Sequence, residues 1–239
     1  MLKEQKSRKK NFSPEIREKA RSTTAELRKI RRRFLIVCEG KETEPNYFKS
    51  FALRDYVEVR THGGEGSPSQ VVEKAEQLRD NPKQSPYDAV WVVFDKDNFP
   101  DFKTAIDTAH GKQIGCAWSN EAFELWFIYH FENPTSPISR DKYKEKIEDY
   151  VKQGAETFKR SKYKEFIYKK NDKSIRRTLL DCGGNEENAI KWAEKQAQEQ
   201  VQCHDKDWDK HNPCTMVYLL VKQLLGKDDE FNRKISNSL

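Results

Sequence analysis

The sequence predicts an α/β protein built on a mainly parallel, four-stranded sheet with crossover helices. Two apolar runs, Phe34-Leu-Ile-Val-Cys38 and Ala89-Val-Trp-Val-Val-Phe94, are short, rich in β-branched and aromatic residues, and bounded by charge, which is how strands buried on both faces read. Each runs directly into carboxylates, Glu39 after the first and Asp95 and Asp97 after the second. Segments of helical period alternate with these and two further strands, which implies right-handed crossovers and a parallel sheet. In such a sheet the carboxyl ends of adjacent strands form the crevice where ligands bind.

Residues 1–33 form a basic arm, in which Ser13 and Pro14 open a helix reaching about Lys29 and Arg31, Arg32 and Arg33 abut the first strand. The arm reads equally as a solubilising extension and as a nucleic-acid-binding element near the site. After Gly40, Thr43 and Pro45 start a helix over about 44–52, with Tyr47, Phe48 and Phe51 at helical spacing. Residues 56–60 alternate as a second strand. The glycine-rich stretch 61–68 has neither a Walker ending nor a complete dinucleotide fingerprint, and it leads to a helix capped at Ser67. The third strand covers about 88–94, and a helix after Pro100 buries Phe102, Ile106 and Ala109. The fourth strand covers 113–118, and Ser119-Asn120 caps a helix over 121–131 that is apolar on most sides and therefore buried. Asn133-Pro-Thr-Ser-Pro-Ile138 marks a boundary. Beyond it only helices are expected, at about 140–153, 162–170, 174–180, 186–202 and 214–225. The predicted domains are thus an arm (1–33), an α/β domain (34–133) and an all-helical extension (134–239).

Composition narrows the function. Hydrophobic and charged residues each make up 35% of the 239 residues, so the core is modest and the surface heavily solvated. No apolar run approaches the roughly 20 residues that span a bilayer, and the basic N-terminus lacks an apolar signal core. The five widely spaced cysteines suit free thiols in a reducing cytoplasm better than a disulfide framework. The net charge of +6 is unevenly spread: residues 1–33 carry +9, 34–138 carry −7, 139–181 carry +6 and 182–239 carry −2. An acidic block suited to metal lies between basic blocks suited to phosphates, a pattern that fits a metal-dependent enzyme acting on nucleic acid.

Glu39, Asp95 and Asp97 are the first candidate site. Carboxylates gathered at strand ends repel one another unless a cation sits between them, and Mg²⁺ (or Mn²⁺) is bound by one or two carboxylates together with waters and substrate phosphate. Asp95 and Asp97 face the same way if the strand continues that far; otherwise Asp97 reads as a helix cap or surface acid. Glu124, flanked by Phe123, Leu125 and Trp126, needs a partner if ionised, and a metal or its water is one; Glu121 is a lesser candidate. Lys41, in the turn after Glu39, is a candidate phosphate contact, whereas Lys96 should point away from its neighbouring aspartates. The basic block interleaves Tyr143, Tyr150, Phe158, Tyr163, Phe166 and Tyr168 with lysines and arginines, suggesting either base stacking or ordinary amphipathic helices. Lys169, Lys170, Arg176 and Arg177 are candidate nucleic-acid contacts. Cys203, His204, His211 and Cys214 match no familiar zinc spacing.

Four motifs carry a family resemblance: Cys38-Glu-Gly-Lys-Glu-Thr-Glu-Pro-Asn-Tyr-Phe48, Val92-Val-Phe-Asp-Lys-Asp97, Ala117-Trp-Ser-Asn-Glu-Ala-Phe-Glu-Leu-Trp126 and Asn212-Pro-Cys-Thr-Met-Val-Tyr218. Together they resemble the RloB family, which is similar to the Toprim half of OLD-type nucleases and occurs in bacterial defence operons. The resemblance runs from about Arg33 to Leu225. It implies a Toprim-like fold in which Glu39, Asp95 and Asp97 hold metal. It also implies that Glu44, one residue out of register with a further glutamate of the OLD-type enzymes, helps hold a second metal with Glu124. From residues alone, Glu44 also reads as a first-turn acid complementing its helix dipole. The resemblance further implies a phage-defence nuclease acting on DNA or RNA, transfer RNA included, beside an ABC- or AAA-type ATPase; a homo-oligomer stays open. The competing expectation is a non-catalytic module that binds nucleic acid or the ATPase.

Overall fold

The computed structural model describes residues 32–53, 57–64 and 66–231. Arg31 and the rest of the basic arm before it lie outside the described residues. A four-stranded, all-parallel sheet has the order β2-β1-β3-β4, formed by β1 (Arg32–Cys38), β2 (Val57–Gly63), β3 (Ala89–Val93) and β4 (Gly115–Cys116). Phe34 to Cys38 pair with Ala89 to Val93 in register. This architecture agrees with the Toprim-like α/β class expected from sequence.

Helices α1 (Thr43–Lys49), α2 (Pro68–Arg79) and α3 (Phe102–Gly111) make the crossovers. Because the chain steps outward from β1 to β2 and then back past β1 to β3, right-handed connections put α1 on one face and α2 and α3 on the other. That reversal makes the carboxyl ends of β1 and β3 the topological switch point. The start of α2 is held by Gln70, whose side chain accepts from the Ser67 N–H at 2.9 Å. Asp101 accepts from Ser67 Oγ and the Ser69 N–H, each at 3.0 Å.

The chain continues through α4 (Glu124–Tyr129), α5 (Tyr143–Thr157), α6 (Ile175–Asp181), α7 (Glu186–His204) and α8 (Val217–Leu224). Helix α4 is buried along its whole length and packs against α5 and α7. It meets α1 through Tyr47, Phe48, Phe123 and Phe127, whose rings lie 5.4–5.7 Å apart, mostly edge to face. A buried polar chain crosses the same junction. The Trp126 indole donates to Tyr47 Oη at 2.7 Å, and Tyr47 donates to Glu186 at 3.2 Å. Arg176 grips Glu186 with two bonds of 2.8 Å.

The structure corrects three expectations from sequence. Ser119-Asn120 does not cap a helix; it forms β5, antiparallel to β6 (Cys214–Thr215). Ser119 Oγ is bonded to Thr215 Oγ1 at 2.7 Å, and its backbone is engaged with Phe94 and Lys96, so neither is free to cap. The region after residue 134 is therefore not purely helical, since β6 precedes α8. Residues 162–170 also form no α-helix, only a 3₁₀ turn at Ser161–Tyr163. There the Tyr168 N–H bonds the Glu148 carboxylate at 3.0 Å instead of a preceding carbonyl. Among the described residues no helix is long and apolar enough to cross a membrane, and the five cysteines are all unbonded.

Candidate functional site

Glu39 and Asp95 meet at the switch point. The Glu39 N–H continues the ladder to the Val93 carbonyl at 2.9 Å. The Asp95 N–H donates to Glu39 Oε2 at 3.1 Å. Asp95 also bridges to Ser119 in parallel fashion, so it is fixed between two strand ends. Glu44, from the first turn of α1, turns back to accept the Gly40 N–H at 3.2 Å. A side chain at Gly40 would collide with the Glu44 carboxylate, so glycine is what admits Glu44. Glu124 opens α4 and accepts from the Tyr168 hydroxyl at 2.9 Å.

These groups line one cavity of about 850 Å³, together with Lys41, Asp97, Phe99, Arg140 and Lys170. Glu44 and Glu124 are only 5% and 7% exposed. Burial, with the negative charge of Glu44, Glu124 and Glu39, pushes the Asp95 carboxyl well above the usual range, against the pull of Arg140. Burial and the nearby Glu124 push Glu44 up to about 7. Glu39 is also raised by burial, although the Asp95 N–H opposes this. Asp95 Oδ1 is buried without a hydrogen-bond partner. Excess negative charge around an unsatisfied carboxylate oxygen is a donor set that fits a hard divalent cation. Among the described residues, no three His, Cys, Asp or Glu side chains are already drawn together around a metal position.

Among the described residues, the cation paired with carboxylates of this site is Arg140. Its Nη1 donates to Asp97, while its Nη2 lies 3.4 Å from Asp95 Oδ2 and 2.8 Å from the Glu121 carbonyl. Asp95 and Asp97 thus converge on one guanidinium although β3 ends at Val93. Sequence reasoning missed Arg140 because it is 43 residues from Asp97, in a block of similar charges. It named Tyr168 only as a possible stacking aromatic and missed its bond to Glu124, because a helix was expected there.

The candidate phosphate contacts divide. Lys41 and Lys170 are exposed and line the cavity. Gly64, at φ +92°, lies against the Lys41 stem, where any side chain would clash. Lys169 lines a separate cleft with Tyr163 and Phe166. Arg177 is exposed and pairs with Asp181 at 2.7 Å. Arg176 is turned inward, 3.8 Å from the Phe51 ring centroid, and Glu186 takes its charge. Arg32 and Arg33 begin β1, at the end of the sheet opposite the carboxylates. Arg33 is spent there on the Pro86 carbonyl at 2.7 Å and on Glu58 at 3.4 Å. Lys96 points away to Asp209 at 3.0 Å. Cys214 is buried in β6 while Cys203 is exposed, and His211 Nε2 is engaged by the Asp205 carbonyl at 2.9 Å.

A family model described as RloB-like protein matches residues 34–224, a span that includes every described carboxylate of the site. No curated protein and no solved structure matches the chain.

Proposed function

The chain belongs to the RloB-like protein family, and on that premise we propose that it is a metal-dependent nuclease, a phosphodiesterase of Toprim type. One observation carries the reading: Glu39 and Asp95, at the ends of adjacent parallel strands, face a cavity with Glu44 and Glu124, and Asp95 Oδ1 lacks a partner. Glu39 and Asp95 would hold Mg²⁺ or Mn²⁺, with Asp97, Glu44 and Glu124 completing the donors. When bound, the ion neutralises phosphate charge and lowers the pKa of a water. Lys41 and Lys170 offer positive charge to the substrate backbone. Phe99, 37% exposed at the cavity, offers a ring on which an unpaired base can stack.

The family resemblance supports a role as effector in a phage-defence system with an ABC- or AAA-type ATPase partner, and the free cysteines suit the cytoplasm. A second reading, a binding module for nucleic acid or the ATPase, is favoured by Arg140, which already neutralises Asp95 and Asp97 from within the chain. Calorimetric titration with Mn²⁺ separates the two. The nuclease reading expects binding that Glu39→Ala and Asp95→Ala each abolish; heats unchanged by either substitution would contradict it.

A further inference from the structure

Arg140 is anchored at its root and unevenly held at its tip, where Nη1 bonds Asp97 and Nη2 bonds the Glu121 carbonyl but reaches Asp95 only at 3.4 Å. Its backbone N–H donates to Glu121 Oε2 at 3.0 Å and its Nη2 to the Glu121 carbonyl at 2.8 Å, so the residue is anchored beside the carboxylates. Its side chain is 44% exposed, and its contact with Asp95 stretches to 3.4 Å. That contact uses Oδ2 alone and leaves buried Oδ1 without a partner. Guanidinium remains charged at any ordinary pH, so it can leave the carboxylates only by swinging away. A partly exposed pair of this kind is weak and displaceable. Five acids line the cavity besides Asp97, namely Glu39, Glu42, Glu44, Asp95 and Glu124, and Arg140 together with Lys41, Lys144 and Lys170 does not match that charge.

We propose that Arg140 is the internal counter-cation of this site, whose guanidinium competes with a divalent ion for Asp95 and Asp97. The proposal rests on the metal-dependent reading above and adds a residue that sets the affinity for the ion. A merely structural arginine would have the opposite signature, since its removal would splay the aspartates and weaken ion binding.

The test is Mn²⁺ affinity, read from the electron paramagnetic resonance signal of free Mn²⁺, in the full chain and three variants. Arg140→Gln should tighten binding by about fivefold, the scale of a partly exposed ion pair. It should also lower the melting temperature in chelator. Arg140→Lys, which keeps the charge but not the fork, should fall between Arg140→Gln and the wild type, and it keeps the test open if Arg140→Gln folds poorly. Lys146→Gln removes the same charge from α5 at a side chain paired with Glu132, 2.9 Å away, and should leave the affinity unchanged. Equal or weaker binding in both Arg140 variants overturns the proposal alone. No Mn²⁺ binding by any of the four proteins overturns it together with the nuclease reading.

Discussion

The backbone N–H of Asp95 donates to Glu39 Oε2 across 3.1 Å, tying a residue two past the end of β3 to the side chain just past the end of β1. The bond orients the Glu39 carboxylate at the wall of the cavity. Glu39→Gln keeps an acceptor for that bond and removes the charge. It is expected to fold as the wild type does, by circular dichroism, while losing at least about tenfold in Mn²⁺ affinity.

The acids at the switch point make the metal-free protein sensitive to rising pH. Glu44 has a folded-state carboxyl near 7 against about 4.3 in an unfolded chain. Its contribution is therefore intact below the unfolded value and declines as pH rises through 7, because the folded chain must then ionise a buried acid. Glu44→Gln should stabilise the metal-free protein at pH 8 by about 2 kcal/mol relative to wild type and do little at pH 4. Urea unfolding in chelator at both values is the measurement, and equal stabilisation at the two would refute the assignment.

Arg176 and Glu186 are expected to matter for stability and not for nucleic acid. Burial alone would raise the Glu186 carboxyl, but Arg176 holds it below the usual range. The stability it lends is present above the unfolded carboxylate value and is lost as pH falls through the folded one. Arg176→Ala leaves that carboxylate without its charge partner, and should cost about 3 kcal/mol near pH 7. Denaturant midpoints measure the loss.

Lys170, exposed at the cavity, is the contrasting case. Lys170→Ala should leave stability within about 0.5 kcal/mol. It should also weaken nucleic-acid binding and reduce the salt dependence by about one counterion. Fluorescence anisotropy across a salt series reads both; an unchanged slope would remove Lys170 from the substrate path.

The neighbouring fates of Arg176 and Arg177 show how far sequence could be read. Both lie in a basic run, but helical rotation turns one into the Glu186 network and the other to solvent; charge runs do not encode that choice. The two central strands were legible because burial on both faces leaves a continuous apolar run, and their terminal carboxylates were legible with them. The β5–β6 pair was not, since it joins two-residue strands 96 residues apart at Ser119 and Thr215, too short for any periodicity. The place of Tyr168 beside Glu124 was not legible for a related reason, because that bond spans 44 residues, while its N–H bond to Glu148 replaces local helix bonding.

The most direct measurement is cleavage itself. The purified chain and its Glu39→Ala/Asp95→Ala variant should be incubated with plasmid DNA, single-stranded DNA and total RNA, in Mg²⁺, Mn²⁺ or chelator, with and without a candidate ABC- or AAA-type ATPase partner. The expected result is cleavage of at least one substrate that needs both the metal and the two carboxylates. Cleavage that survives in the double variant, or none under any of these conditions, would contradict the account and leave a binding module in its place.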